Sequence, residues 1–143
     1  MADQSAVDSI QPVLQRYFDA LNAIANGDPE PLKALYSHRE DISQCGLWGG
    51  VERGWAEVSA RLDWVAEQFV PGPGVVTAEV VLTSVSGEMA YSVWIERWWC
   101  RLKARSEPQE LLIRVTQIFR WEEGAWKAVH RHGDDRISKA PPR

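Results

Sequence analysis

The chain has 143 residues and a mass of 16.2 kDa, about one domain, with 16 Lys and Arg against 20 Asp and Glu, a formal net charge of −4. That balance excludes a general nucleic-acid binder, which needs a basic footprint. With 45% hydrophobic and 25% charged residues, the composition also excludes wholesale disorder, a collagen-like chain and a coiled coil. Cys45 and Cys100 make no disulfide framework. No basic-then-apolar leader precedes Asp19 and no apolar run approaches the length of a membrane span, so the expectation is a soluble, cytoplasmic protein with no membrane partner. The 8 Trp outnumber the 3 Tyr and 3 Phe, and such rings wall cores, cavities or subunit interfaces.

In chain order, Val7, Ile10, Leu14, Tyr17, Phe18, Leu21 and Ile24 recur at spacings of three and four and predict a first amphipathic helix. Asn26-Gly27 stops it. Asp28 caps a short second helix that has Pro29 at its first position and Leu32, Leu35 and Tyr36 as its apolar residues. Residues 37–54 are irregular and glycine-rich, with room for a short strand at Ile42–Cys45. A third helix runs from about Trp55 to Phe69, and Pro71-Gly72-Pro73-Gly74 ends it. The pattern then turns to strands over Val75–Val85, Met89–Leu102, Leu111–Trp121 and Trp126–His132, with Ser86-Gly87 as a turn. The expected domain is 1–133, and 134–143 reads as a flexible tail. Helices followed by antiparallel strands predict an α+β fold: three N-terminal helices in the concave face of a strongly curved sheet, a cone with a pocket.

Glu123-Gly124 fits a tight two-residue turn, or the centre of a slightly longer one, and either pairs Trp121 with Trp126, Phe119 with Ala128, Gln117 with His130 and Val115 with His132 on one face. The opposite face then holds Arg114, Arg120, Lys127 and Arg131. Burying four unpaired cations is costly, so the Gln117/His130/His132 face is expected to point inward, an apolar cavity with a polar patch. His38 is placed either to move a proton or to cap the second helix. Asp41 either orders its loop or faces the pocket. In Glu96-Arg97 alternation puts one residue inward. His130 and His132, at i and i+2, reach one metal ion if a third ligand such as His38 joins them, but no further Cys/His cluster accompanies them and no metal or cofactor is called for.

Three passages carry a resemblance: Leu14–Tyr17 through Asn26-Gly27-Asp28; Tyr36–Asp41 with Gly46–Gly54; and Arg114–Arg120 through Trp126–His132. In order and spacing they resemble the nuclear-transport-factor-2-like superfamily, and within it the SnoaL-like, ketosteroid-isomerase-like branch. The resemblance implies a curved sheet with three helices, a deep pocket at the open end of the cone, and a homodimer through the outer sheet face. Its members include isomerases, polyketide cyclases, epoxide hydrolases, dehydratases and non-enzymatic association domains, so the fold does not fix the function. In the ketosteroid isomerases a helix tyrosine and a sheet aspartate form the oxyanion hole. Tyr17 matches the tyrosine, Gln117 falls at the aspartate, and Cys45 stands where the catalytic base would be. A thiol is mostly protonated at neutral pH, which departs from the isomerase pattern. The family spacing favours Arg97 inward, grouped with Tyr91, Val93 and Ile95.

The expected function is thus a small-molecule pocket protein. As an enzyme it is a cofactor-independent isomerase, cyclase or dehydratase acting by acid–base chemistry on an apolar carbonyl compound. Tyr17 and Gln117 would hold the oxyanion and His38 or His132 would move the proton. Asp41, Cys45, Tyr91, Arg97, Val115 and His130 would contact substrate, and Trp48, Trp64 and Phe119 would line the wall. The alternative is a non-catalytic ligand-binding or association module, a reading supported by the kinase-association branch, which also ends in a His-x-His strand after a tryptophan.

Overall fold

A computed structural model describes residues 4–143. The elements are α1 (Gln4–Ile24), α2 (Glu30–Leu35), β1 (Ser43–Cys45), β2 (Glu52–Arg53), α3 (Gly54–Glu67), β3 (Val75–Ser86), β4 (Met89–Cys100), β5 (Gln109–Glu122) and β6 (Ala125–Asp134). The six strands form one open, curved sheet in the order β2-β1-β6-β5-β4-β3. All pairs are antiparallel except β1 with β6, which is parallel. The expected α+β cone is therefore the observed fold, and the three helices and four long strands fall where periodicity placed them. No helix of the described residues is long and apolar enough to cross a membrane.

The α1 stripe buries Ile10, Leu14, Tyr17, Leu21 and Ile24 against the concave face. Near its end the helix is fastened to β3 by two asparagines one turn apart. Asn22 accepts the Val76 N–H (2.8 Å) and donates to the Val76 carbonyl (2.9 Å). Asn26 does the same for Gly74 (3.1 and 2.9 Å) and also accepts the Gly72 N–H. Each amide stands in for a strand neighbour and satisfies backbone groups that have no other partner at the start of β3.

The β5–β6 hairpin closes as predicted. Glu123 (φ 50°) and Gly124 (φ 87°) both adopt the left-handed conformation that a two-residue turn matching sheet twist requires, and Trp121 pairs with Trp126 and Phe119 with Ala128. The predicted register fails one step later. Ile118 pairs with His130, so Val129 is an extra residue in β6, a β-bulge. Because side chains alternate, one inserted residue exchanges the faces of everything beyond it. Gln117 now lies opposite Arg131, and Thr116 opposite His132. Arg131 turns inward and is buried, while His132 turns outward. The expectation that Arg131 faces solvent and His130 and His132 face the cavity is overturned. Ala128 and Val129 are both buried, which is the apolar pair that the bulge accommodates.

Candidate functional site

A cavity of about 70 Å³ lies between α1, α3 and the sheet. Leu21 and Ile24 of α1, Phe69 after α3, and Trp98, Leu111 and Ile113 of the sheet supply its apolar wall. Gln44 and Arg131 are its polar side chains. One ordered water needs only about 10–15 Å³, so the space admits a compact organic molecule. Gly46, Leu47 and Trp48 form the rim. The Trp48 ring stands edge-on to Trp64 (5.7 Å) and tilted against Phe69 (6.0 Å). Arg61 lies 4.0 Å over Trp64 and donates to the Gly49 carbonyl, fastening the rim to α3. Gly49 and Gly50 take φ of 89° and 81°, so glycine is what lets the loop fold back here.

Arg131 is fixed by a carboxylate from another strand. Glu96, at 0% exposure, receives Arg131 Nη1 and Nη2 in a fork at 2.7 Å each. It also receives the indole N–H of Trp94 (2.7 Å) and Trp98 (2.9 Å). Four donors fill its two oxygens. Burial alone pushes the Glu96 carboxyl up, but the Arg131 charge and these hydrogen bonds outweigh burial and hold it below its ordinary value. Arg131 is raised, since Glu96 outweighs its own desolvation. Both groups are ionised, and as a pair they are neutral. At Gly133 a Cβ would press on Ile113, 3.1 Å from its Cγ2, and would meet Arg131 Nη2 at an ordinary contact distance of 3.7 Å.

Two buried phenols lie between Arg131 and the other polar wall residue. The Arg131 charge works against the rise that burial causes in the Tyr17 hydroxyl. Tyr17 and Tyr36 hydroxyls lie 3.2 Å apart, and Tyr36 donates to Gln44 Oε1 at 2.8 Å. A hydroxyl has one hydrogen, so Tyr17 donates to Tyr36 and the chain runs in one direction. Burial raises both phenols, Tyr36 further than Tyr17, and both are neutral donors at physiological pH. Behind Gln44, burial also pushes the Glu52 carboxyl above its usual range, with Oε1 unpartnered.

Of the residues expected at the site, Trp48 is on the cavity wall. Trp64 is one layer out and braces it. Tyr17 is buried and joins the site through its hydroxyl chain. Gln117, Val115 and Phe119 do face inward and are fully buried, but they pack as core away from the cavity wall. Gln117 donates to the His130 carbonyl across the bulge (3.0 Å) and leaves its own Oε1 without a partner. Cys45 is half-buried on β1, between the wall residues Gln44 and Gly46 but not on the wall itself.

The others are elsewhere. His38 is exposed, stacked on Trp55 at 3.8 Å with Nε2 at the Lys33 carbonyl, so it serves the end of α2. Asp41 is exposed and takes a fork from Arg120 (2.8 and 2.9 Å), which holds its carboxyl below the usual range. His130 is bound to Ser43 (2.8 Å), and burial keeps its imidazole below its ordinary value. His132 points to solvent beside Asp134. These histidines do not converge, and no group of three metal-ligating side chains occurs among the described residues. Arg97 faces out and pairs with Glu110; Tyr91 is on the same outer face. Glu96 is the inward member, because that face offers it two indole donors and a guanidinium.

Glu96, Arg131, Tyr36 and Gln44 are the site residues that the sequence reading did not select. Trp94-x-Glu96-x-Trp98 carried a signal: alternation sets two N–H donors on either side of one carboxylate.

The SnoaL-like domain profile matches residues 13–133. Solved structures of similar shape include a ketosteroid isomerase-like protein from Erwinia carotovora atroseptica, 16% identical, covering 96% of this chain and 100% of that one at a TM-score of 0.78. An NTF2-like superfamily protein from Salmonella enterica is 19% identical over 96% and 95% of the two chains, at 0.77. A candidate dehydratase of the NTF2-like family from Streptomyces avermitilis is 17% identical over 94% and 99%, at 0.75. At such identities the likeness carries the fold alone. No curated protein matches the sequence. With the profile spanning most of the chain, the protein belongs to the SnoaL-like family, and its fold is that of the NTF2-like structures.

Proposed function

We propose that the protein binds a small, largely apolar molecule through one uncharged oxygen acceptor, a carbonyl, held at Arg131. The observation that carries this reading is the neutralised Arg131 in the wall of an apolar cavity. A ligand carboxylate at the guanidinium would gain about 5 kcal/mol over roughly 3 Å and lose about 3 kcal/mol to Glu96 over roughly 5 Å, at an effective dielectric of about 20. The difference does not cover the several kcal/mol needed to desolvate the anion. A carbonyl accepts the same N–H without that cost. Isothermal calorimetry with acetophenone and benzoate, nearly equal in shape, is expected to show acetophenone binding at least about tenfold tighter. Preference for benzoate, or no binding of either, contradicts the proposal.

The choice between binder and enzyme turns on a base. No histidine or carboxylate lines the cavity among the described residues, and Glu96 is already filled by four donors. This favours a ligand-binding module over an acid–base isomerase, cyclase or dehydratase. For the catalytic reading, Arg131 and the Tyr17–Tyr36–Gln44 chain would hold the oxyanion, and the base would have to come from the ligand or from water. The acetophenone sample in D2O separates the two. Loss of its methyl proton signal only when protein is present would establish turnover.

The outer sheet face suits a second copy of the chain. Leu82, Met89 and Tyr91 are exposed there, beside a depression of about 350 Å³ that Ile118 also lines. A monomer rarely leaves so many neighbouring apolar side chains in water. Sedimentation at twice the chain mass, returning to the single-chain mass in Tyr91→Glu, is the expected result; a wild-type monomer at high concentration contradicts it.

A further inference from the structure

We infer that the binding site continues out of the cavity into a second subsite, walled by residues 135–138, that takes an uncharged polar group on the same ligand. The inference rests on the cavity being the ligand site. Leu47 and Leu111 line both the cavity and a groove of about 480 Å³, so the two spaces border on the same side chains. The inner chamber, at about 70 Å³, is well below the roughly 300 Å³ from which drug-sized ligand sites begin. A ligand of that size that enters it must protrude, and the groove is where it emerges.

The groove exists because β6 leaves the sheet early. Its last pair with β5 is Arg114 with Asp134. From Ile113 back to Gln109, β5 has β4 on one side and no strand on the other. Part of its edge therefore presents backbone N–H and C=O groups, donors and acceptors in alternation. The departing chain is held in place. Arg114 grips Asp134 through Nε (3.0 Å) and Nη2 (2.8 Å), Asp134 accepts the Arg136 N–H (3.0 Å), and the Ile137 N–H bonds to the Asp135 carbonyl (2.9 Å). This sets Ile137 and Arg136 across the groove from Leu112 and Glu110.

The lining defines the chemistry of the occupant. Leu47, Leu111, Leu112 and Ile137 give an apolar surface, and Glu110, Asp135, Arg136 and Ser138 give a polar edge. The edge charges are balanced, since Glu110 is already paired with Arg97 and Arg136 adjoins Asp135. Such a surface discriminates little for either sign of charge. It suits a group with an apolar face and hydroxyl or amide edges, a sugar-like ring. The whole ligand is then an uncharged amphiphile, with its carbonyl end inside and its hydroxylated end outside.

Calorimetry with acetophenone and its 4-O-glucoside, the same head with and without a hydroxylated ring, tests this directly. In the wild type the glucoside is expected to bind about tenfold tighter than acetophenone. In Ile137→Glu the glucoside is expected to fall to the acetophenone value while acetophenone is unchanged. Ile137 is 39% exposed, so this exchange leaves the core intact. Equal binding of the two probes to the wild type overturns the second subsite and leaves the cavity reading standing. A glucoside gain that survives Ile137→Glu removes residues 135–138 from it. Failure of both probes to bind overturns the cavity reading itself, and the subsite with it.

Discussion

Replacing Arg131 with methionine is expected to cost about 3–5 kcal/mol, because it leaves the Glu96 carboxylate buried without a cation. For a chain of this size that is a fall of about 10 °C in Tm. The pH dependence identifies the cause. In the wild type the folded Glu96 value is depressed, so its contribution is fully present above the ordinary carboxyl range and is lost as pH falls through the depressed value. In Arg131→Met the two indoles remain but the cation is gone, and burial becomes the dominant influence on Glu96. Its folded value then rises above the unfolded one. The sign reverses: the variant is relatively stabilised in acid and loses stability as pH rises toward neutrality. Thermal melts between about pH 5 and pH 7.5 should show a flat Glu96 contribution in the wild type and falling stability with rising pH in Arg131→Met. Adding Glu96→Gln to Arg131→Met removes the buried charge and is expected to restore most of the loss and flatten the slope. An Arg131→Met protein that melts with the wild type at neutral pH would mean that the pair is not buried as described.

Gly74→Ala is expected to cost about 3 kcal/mol. A Cβ at Gly74 would lie 2.6 Å from the Ala25 carbonyl oxygen and 2.8 Å from Ala25 C and Asn26 Nδ2. The first two are backbone atoms at the end of α1 and cannot rotate away. Gly74 itself has no left-handed φ, so alanine has no conformational objection to the position and the effect is purely steric. Relief requires β3 to move off α1, which breaks the Asn26 clamp on Gly72 and Gly74. Gly46→Ala is the control, since nothing lies within 4 Å of its Cβ position. Urea unfolding of both variants checks this. A Gly74→Ala protein as stable as Gly46→Ala would show that the helix end yields at little cost.

The fold was legible because its signals are local. The i, i+3, i+4 stripe of α1, the Pro-Gly-Pro-Gly break before β3 and the Glu123-Gly124 turn each act over a few residues. The resemblance supplied the order of the parts. The site was less legible, and one residue accounts for most of that. Val129 reads like any other strand residue, and only its insertion opposite the Ile118–Phe119 step reverses His130, Arg131 and His132. Burial cost alone sends all four cations outward. Arg131 turns inward because the partner that neutralises it, Glu96, lies 35 residues away on β4, a pairing that no local pattern contains. Trp48 was legible as rim, since an aromatic among Gly46, Gly49 and Gly50 has few other roles.

A crystal structure of the acetophenone complex tests the role of Arg131 most directly. The expected result places the ring between Phe69 and Ile113 and the carbonyl oxygen within about 2.7–3.2 Å of an Arg131 nitrogen. Density for the ring in the outer depression beside Met89 and Tyr91, or a carbonyl turned toward Trp48 with Arg131 untouched, would contradict it.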